Sequence, residues 1–248
     1  MPDLKPEYTS YDGPKAPPPG DKEAYVEGVF DAVAPHYDLA NHLLSFGLDV
    51  LWRRRLVRES GLGAGARVLD IGCGTGDLLL DFARRVPGIA GEGLDFSASM
   101  LARARAKDRF GLKWTRGSAL ELPYADASFD AAVSAWVLRS ITDPDRFFSE
   151  AARTVRPGGK VLVLELTRPS SMAMRAAYAP VLDVYVPLVG RLLSGHPDGY
   201  RYLRDSIRNF PPPERTLERM GAAGLTRVRA HPLTFGTATL FVGEKPLL

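Results

Sequence analysis

Residues 68–76 read Val-Leu-Asp-Ile-Gly-Cys-Gly-Thr-Gly, and Asp95 follows Gly76 by nineteen residues, inside Gly-Leu-Asp-Phe-Ser. These residue types at this spacing suit a nucleoside-type ligand. Gly72, Gly74 and Gly76 carry no Cβ, so the backbone there can turn sharply and touch a ligand. Asp95 ends a second apolar run, where a carboxylate can take both hydroxyls of a ribose. The glycines are spaced G-x-G-x-G, whereas dinucleotide folds carry G-x-G-x-x-G. Asp70 stands just before them, badly placed for a pyrophosphate and well placed for the cationic end of a ligand. S-adenosylmethionine has two such ends, a sulfonium and an α-ammonium, and is the expected cofactor. The competing reading is a plain glycine turn, with Asp95 capping the helix of Ser97–Lys107.

The elements that must position these residues alternate along the chain. Arg67–Ile71, Ala90–Asp95, Leu112–Arg116, Phe129–Ala135 and Lys160–Leu166 read as strands. Helical patterns cover Asp77–Val86, Ser97–Lys107 and Pro144–Val155. Repeated β-α units of this length predict a mostly parallel α/β sheet with helices on both faces. A ligand should then lie across the C-terminal ends of adjacent strands. Pro157-Gly158-Gly159 reads as a turn before the fifth strand. Gly224–Ala230 and Thr234–Val242 read as a closing antiparallel pair, which brings the sheet to seven strands. Before the first strand, helical patterning starts near Asp21, and short helices are expected over Ala40–Ser45 and Leu48–Ser60. They form an N-terminal helical layer, or lid, over the sheet edge, spanning residues 21–60. Residues 170–220 form a helical insertion. Its stretch Met172–Leu193 is apolar but holds Pro180 and Pro187, which are expected to break it short of a single spanning helix. A dimer face, a plain buried helix and a surface for a lipid tail or bilayer are the readings open for it.

Composition bounds the class. Hydrophobic residues make up 45% of the 248, ordinary for a globular core. The formal net charge is only +3, without a Lys/Arg-rich block, so nucleic acid is not an expected partner. Cys73 is the one cysteine, which excludes an internal disulfide and a cysteine-based metal site; it reads as a small buried filler. No metal site is expected. Residues 1–20 hold six prolines and read as a disordered leader, with residues 21–248 as a single domain. No secretory signal is read, so the cytoplasm is the expected location.

The chain resembles the ubiquinone/menaquinone biosynthesis C-methyltransferase family, one of the Rossmann-like class I S-adenosylmethionine-dependent methyltransferases. The resemblance runs from about Val29 to Pro246. It is carried by Tyr37-Asp38-Leu39-Ala40-Asn41 through Ser45, by Trp52 and by the glycine loop Val68–Gly76. It continues in Gly117-Ser118-Ala119-Leu120-Glu121-Leu122-Pro123, Leu138-Arg139-Ser140, Arg153 with Val155–Gly159, Tyr200–Ile207 and Thr234-Phe235-Gly236. Departures are Ala40 for the family's Met, Asp49 for a usual His, and Ser118 and Ser140 each for Asn. Ala135-Trp136-Val137 replaces a Ser/Gly-Phe-Gly run, and Phe241 stands where His is usual. The glycine loop departs least; most changes fall on the acceptor side.

The resemblance implies methyl transfer to a ring carbon of a prenylated quinol, demethylmenaquinol or a related ubiquinone precursor. Thr75 and the backbone of Gly72–Gly76 would line the methionine portion, Asp95 the ribose, and Ser118 and Ala119 the adenine. Phe96 and Met100 would pack on the purine or simply in a helix core. A sulfonium methyl is already activated, so alignment and a dry site suffice. Arg139, just past the fourth strand, would stabilise a phenolate-like oxygen of the acceptor; its bland alternative is a salt bridge to Asp143 or Asp145. Tyr37 and Asn41 would act as lid residues, with Tyr200 also near the acceptor. None of His36, His42, His196 and His231 offers itself clearly as a base, and His42 reads as a surface residue. Two further functions stay open: a methyltransferase for another small acceptor, including O-methylation, and a non-catalytic S-adenosylmethionine-binding protein. A lipid-tailed acceptor would bring the chain to the inner face of the membrane as a peripheral protein.

Overall fold

A computed structural model describes residues 37–193 and 197–247. The leader assigned to 1–20, the helical stripe from Asp21, His36 and His196 lie outside the described residues.

Seven strands form one sheet: β1 (Arg67–Ile71), β2 (Ala90–Asp95), β3 (Lys113–Arg116), β4 (Phe129–Ala135), β5 (Val155–Leu166), β6 (Thr226–Leu233) and β7 (Ala238–Glu244). Their order is β3-β2-β1-β4-β5-β7-β6. β1 pairs in parallel with both β2 and β4, so Asp70 lies level with Gly93 on one side and Val133 on the other. β7 alone runs against its neighbours β5 and β6. The order reverses at β1 and β4, and a crevice opens there above the strand ends.

Two hydrophobic cores flank the sheet. One gathers Leu69, Ile71, Phe129, Phe147, Phe148 and Phe241 under α5 (Pro144–Thr154) and α9 (Pro213–Ala222). Phe241, where the family's His is usual, is fully buried here. The other gathers Trp52, Leu56, Val68, Leu79, Phe82 and Leu162 under α2 (Leu48–Ser60) and α3 (Asp77–Arg85). Thus α2 lies on the sheet face, not over its edge as the sequence suggested. Its apolar side (Trp52, Leu56, Val57) recurs at helical spacing and has the central strands to pack on.

Two sequence expectations need correction. β5 starts at Val155 and takes in Pro157-Gly158-Gly159, but its register on β4 jumps there, from Val155 opposite Phe129 to Lys160 opposite Ala131. The expected turn is thus a bulge inside the strand, with Gly158 at φ +78°. Gly158 donates its amide to the Lys245 carbonyl (2.9 Å), and the Gly159 carbonyl accepts from the Lys245 amide (2.9 Å). A Cβ on Gly159 would sit 2.5 Å from the Asp130 carbonyl, so the glycine permits the close approach of β4. Second, Pro180 and Pro187 do not break the insertion. α6 (Met172–Pro180), a π-helical turn (Val181–Tyr185) and α7 (Val186–Leu193) follow one another without interruption. The Val186 amide reaches the Val181 carbonyl, five residues back. Such a widened turn relieves the clash of the Pro187 ring with the carbonyl one turn earlier. By length and composition alone Met172–Val189 could cross a membrane, and 17% of it is buried. Its inner side, Leu182 and Val186, packs on Ile207 of α8 (Pro197–Arg208) and on Leu44 of α1 (Tyr37–Leu44). Met172, Val184 and Leu188 point outward.

Candidate active site

The glycine loop closes over the end of β1 as its sequence requires. Gly72, Gly74 and Gly76 all have positive φ, +70°, +53° and +83°. The amides of Gly72 and Cys73 donate to the Leu94 carbonyl (2.7 and 3.0 Å), which locks the loop to the end of β2. A Cβ at Gly76 would lie 2.5 Å from the Trp114 ring, and one at Gly72 would lie 2.6 Å from a Val137 methyl. Cys73 is buried, as a filler should be, and burial pushes its thiol up.

Asp95 is held by backbone amides on both sides, at the entry to the helix that its sequence context allowed it to cap. One carboxylate oxygen accepts from the Gly74 amide (2.8 Å), the other from the Ser97 amide (2.9 Å). Ser97 itself is the N-cap of α4 (Ala98–Lys107), accepting from the Met100 amide. The acid therefore ties loop to helix and still lines the cavity beside them. Carboxylate oxygens have a second lone pair each, so hydroxyl donors can still be received.

That cavity is lined by Tyr37, Gly72, Gly74, Asp95, Phe96 and Met100, then by Ser118, Ala119, Trp136, Val137 and Ser140. The sequence had assigned most of these to one site, and the fold brings them together. Ser118 Oγ accepts from the Leu120 amide (3.2 Å), which commits part of its hydroxyl to the local turn. Trp136 adopts φ +66°, uncommon for a bulky residue. Its indole packs edge-on against Trp52 (5.7 Å), and its amide donates to the Leu164 carbonyl (2.9 Å). An adjoining polar hollow is lined by Asn41, Asp70, Cys73, Thr75 and again Tyr37.

Asp70 faces this hollow in an unusual state. It is 1% exposed, and neither carboxylate oxygen has a hydrogen-bond partner among the described residues. Burial, and then the charge of Asp95, push its carboxyl up to about 8. The Leu79 amide and the Arg53 charge act in the opposite direction and are outweighed. A buried acid without donors is costly unless a ligand supplies the missing charge.

Helix α1, the expected lid, is strapped to the glycine loop. Thr75 Oγ1 donates to Asp38 (2.5 Å), and Lys107 bridges Asp38 (2.8 Å) and Asp77 (2.6 Å). Thr75 thus serves the lid as well as the loop. Tyr37 and Asn41, one helical turn apart, are hydrogen-bonded to each other. Burial pushes the Tyr37 phenol up, partly opposed by Asn41 and by the charge of Arg139. Behind them Asp49 is buried and held by Ser45 (2.7 Å), His42 Nδ1 (2.7 Å) and Arg53 (2.8 Å). Burial alone would raise its carboxyl, but these partners outweigh it and hold the group low. His42 is therefore a half-exposed brace for the lid, and no longer merely a surface residue. His231 sits on the edge strand β6, opposite Leu240.

Arg139 lies on a short turn, Leu138–Ser140, beyond β4. Neither Asp143 nor Asp145 holds it. Asp143 caps α5, accepting from the Arg146 amide (2.9 Å), and Asp145 meets Arg219 (3.3 Å). Its partner is Glu165 near the end of β5, which the sequence reading missed. Glu165 Oε1 accepts from the Arg139 guanidinium at 2.5 Å, and Oε2 accepts from the Arg139 amide at 3.1 Å. Ser140, the neighbour of Arg139, lines the cavity; Arg139 itself is not in the lining of either cavity described, though its charge acts on Tyr37. Tyr200 falls on α8, which passes over the Leu138–Ser140 turn; its side chain lies outside the described residues.

Comparison with known proteins bears on the family and the fold. Residues 20–245 match the ubiE/COQ5 methyltransferase family. A demethylmenaquinone methyltransferase of Thermus thermophilus is 42% identical over 221 residues, 88% of this chain and 100% of its own. A ubiquinone/menaquinone biosynthesis C-methyltransferase of Hahella chejuensis is 40% identical over 248 residues, 96% of this chain and 98% of its own. Among solved structures, a Haloferax volcanii methyltransferase in complex with the Trm112 activator superposes with a TM-score of 0.63. At 22% identity, over 88% of this chain and 97% of that one, it bears on the fold alone. The fold, the glycine loop and the near full-length match agree, and the chain belongs to the ubiE/COQ5 methyltransferase family.

Proposed function

We propose that this chain transfers a methyl group from S-adenosylmethionine to a ring carbon of a prenylated quinol, demethylmenaquinol or a related ubiquinone precursor. The observation that carries the reading is Asp70, buried without donors beside Asp95 at the floor of a glycine-loop cavity. A pyrophosphate would aggravate that charge, whereas a ligand with an ammonium and a sulfonium relieves it. The names of the relatives supply the acceptor class.

S-adenosylmethionine, when bound, supplies a methyl group already activated on sulfur. The rest falls to the chain. Asp70 and the Gly72–Gly76 backbone hold the amino-acid end, Asp95 the ribose, and Ser118 and Ala119 flank the adenine. Trp136, Val137 and the lid close the cavity against water. A hydroquinone carbon becomes a good nucleophile when the adjacent hydroxyl is ionised or strongly hydrogen-bonded. Once methylated, that carbon releases its hydrogen as a proton to solvent, which restores the aromatic ring at the hydroxyl oxygen's side. Arg139 stabilises that oxygen; a guanidinium stays charged and is a poor base. Tyr37, its phenol pushed up, remains neutral and donates a hydrogen bond to the acceptor. The tail leaves beneath the apolar cap, whose outward Met172, Val184 and Leu188 rest on the inner face of the membrane.

Incubation with S-adenosylmethionine and a short-chain demethylmenaquinol, followed by mass spectrometry, should give a product heavier by one CH2. Absence of that product under reducing conditions would turn the assignment to another acceptor. Asp95→Ala should weaken S-adenosylmethionine binding at least tenfold, about 1.4 kcal/mol, in calorimetric titration. Unchanged affinity would remove the ribose assignment.

A further inference from the structure

We infer that Glu165 is a positioning residue for methyl transfer, acting through Arg139; the inference rests on the catalytic reading of Arg139 proposed above. Glu165 is completely buried near the C-terminal end of β5, an apolar strand in which Val161–Leu164 are all buried. Nothing in the packing of that strand calls for an acid. Three donors converge on its carboxylate: the Arg139 guanidinium (2.5 Å), the Arg139 amide (3.1 Å) and the Leu166 amide (2.8 Å). One side chain therefore reaches both the charge and the backbone of Arg139. A three-residue turn has little rigidity of its own, and a guanidinium on a long stem has many rotamers. Glu165 removes both freedoms before the acceptor arrives, which is how a preorganised electrostatic site gains its effect. The charged or titratable groups facing this end of the site are then Arg139 and Glu165 from the strand ends, Asp95 in the cavity, Asp70 and Asp38 in the adjoining hollow, and the Tyr37 phenol between them.

Glu165→Gln and Glu165→Asp test this, each alone and in an Arg139→Gln background. With S-adenosylmethionine and a short-chain demethylmenaquinol, Glu165→Gln should lower kcat ten- to a hundredfold and leave the cofactor Kd within twofold. The acid limb of its kcat–pH profile should move to higher pH, as in Arg139→Gln, because the guanidinium no longer holds its place. Glu165→Asp should recover part of the rate, and Glu165→Gln should cost little more in the Arg139→Gln background. An unmoved limb with a uniformly lowered rate, or the same further loss in both backgrounds, would overturn the inference. A crystal structure of Glu165→Gln separates it from the choice of acceptor. A displaced Arg139 guanidinium supports it, and a guanidinium in its original place sinks it, whichever acceptor is methylated. Lack of turnover by the unmodified protein counts against the quinol alone.

Discussion

Arg139→Ala is expected to lower kcat for quinol methylation by about 10²- to 10³-fold, the usual loss when a donor to a developing oxyanion is removed. The cofactor Kd should change little, because Asp70, Asp95 and the glycine loop are untouched. Loss of the guanidinium also strands Glu165, completely buried, without its counter-charge. Breaking a buried pair in this way costs about 3–5 kcal/mol of stability. The variant should therefore melt well below the parent, and rates must be compared where both are folded. Single-turnover measurements with saturating S-adenosylmethionine separate the effects. Equal losses in cofactor binding and in rate would make Arg139 structural.

The second large effect concerns pH. In the free protein Asp70 stays protonated until about pH 8, because burial and Asp95 disfavour its charge. An ammonium beside it favours the ionised form. Binding below pH 8 must then expel a proton, so affinity for S-adenosylmethionine should rise with pH, by up to about tenfold per unit. The rise should stop near pH 8, where Asp70 is ionised and the ligand's α-amino group, with a pKa of about 8, begins to lose its own charge. Stability of the free protein should move the other way. The folded-state pKa lies above the unfolded one, so the contribution of Asp70 is present below about pH 4 and is lost as pH rises through about 8. Cofactor titrations between pH 6 and 8 test this. Asp70→Asn should flatten the dependence, and a flat profile in the parent would exclude Asp70 as the partner of the ammonium.

Much of the scaffold was legible because its signals are local. Leu48–Ser60, Arg67–Ile71, Ala90–Asp95 and Phe129–Ala135 were read with the boundaries the structure shows. Glycines, or a helix period that suddenly becomes an apolar run, mark most of their ends. The glycine loop was legible for the same reason, since Asp70 to Gly76 is one continuous segment. What was missed depends on partners distant in sequence. Pro157-Gly158-Gly159 resembles a turn until Lys245 arrives to pair with it. Pro180 and Pro187 resemble breaks until a π turn absorbs them. Glu165 is an isolated acid in an apolar strand. Its one sequence signal was that isolation, and its meaning required Arg139, twenty-six residues earlier. The strap between Asp38 and Thr75 likewise joins segments that no periodicity connects.

That strap has a consequence for traffic through the site. Asp38, Asp77 and Lys107 are each about a third exposed, so dissolved ions compete for them, unlike the sealed Arg139–Glu165 pair. On the proposed reading, the strap over the glycine loop should therefore loosen in brine while the Arg139–Glu165 pair keeps its alignment. Exchange of spent for fresh methyl donor and the methylation itself would then respond to different properties of the surrounding fluid.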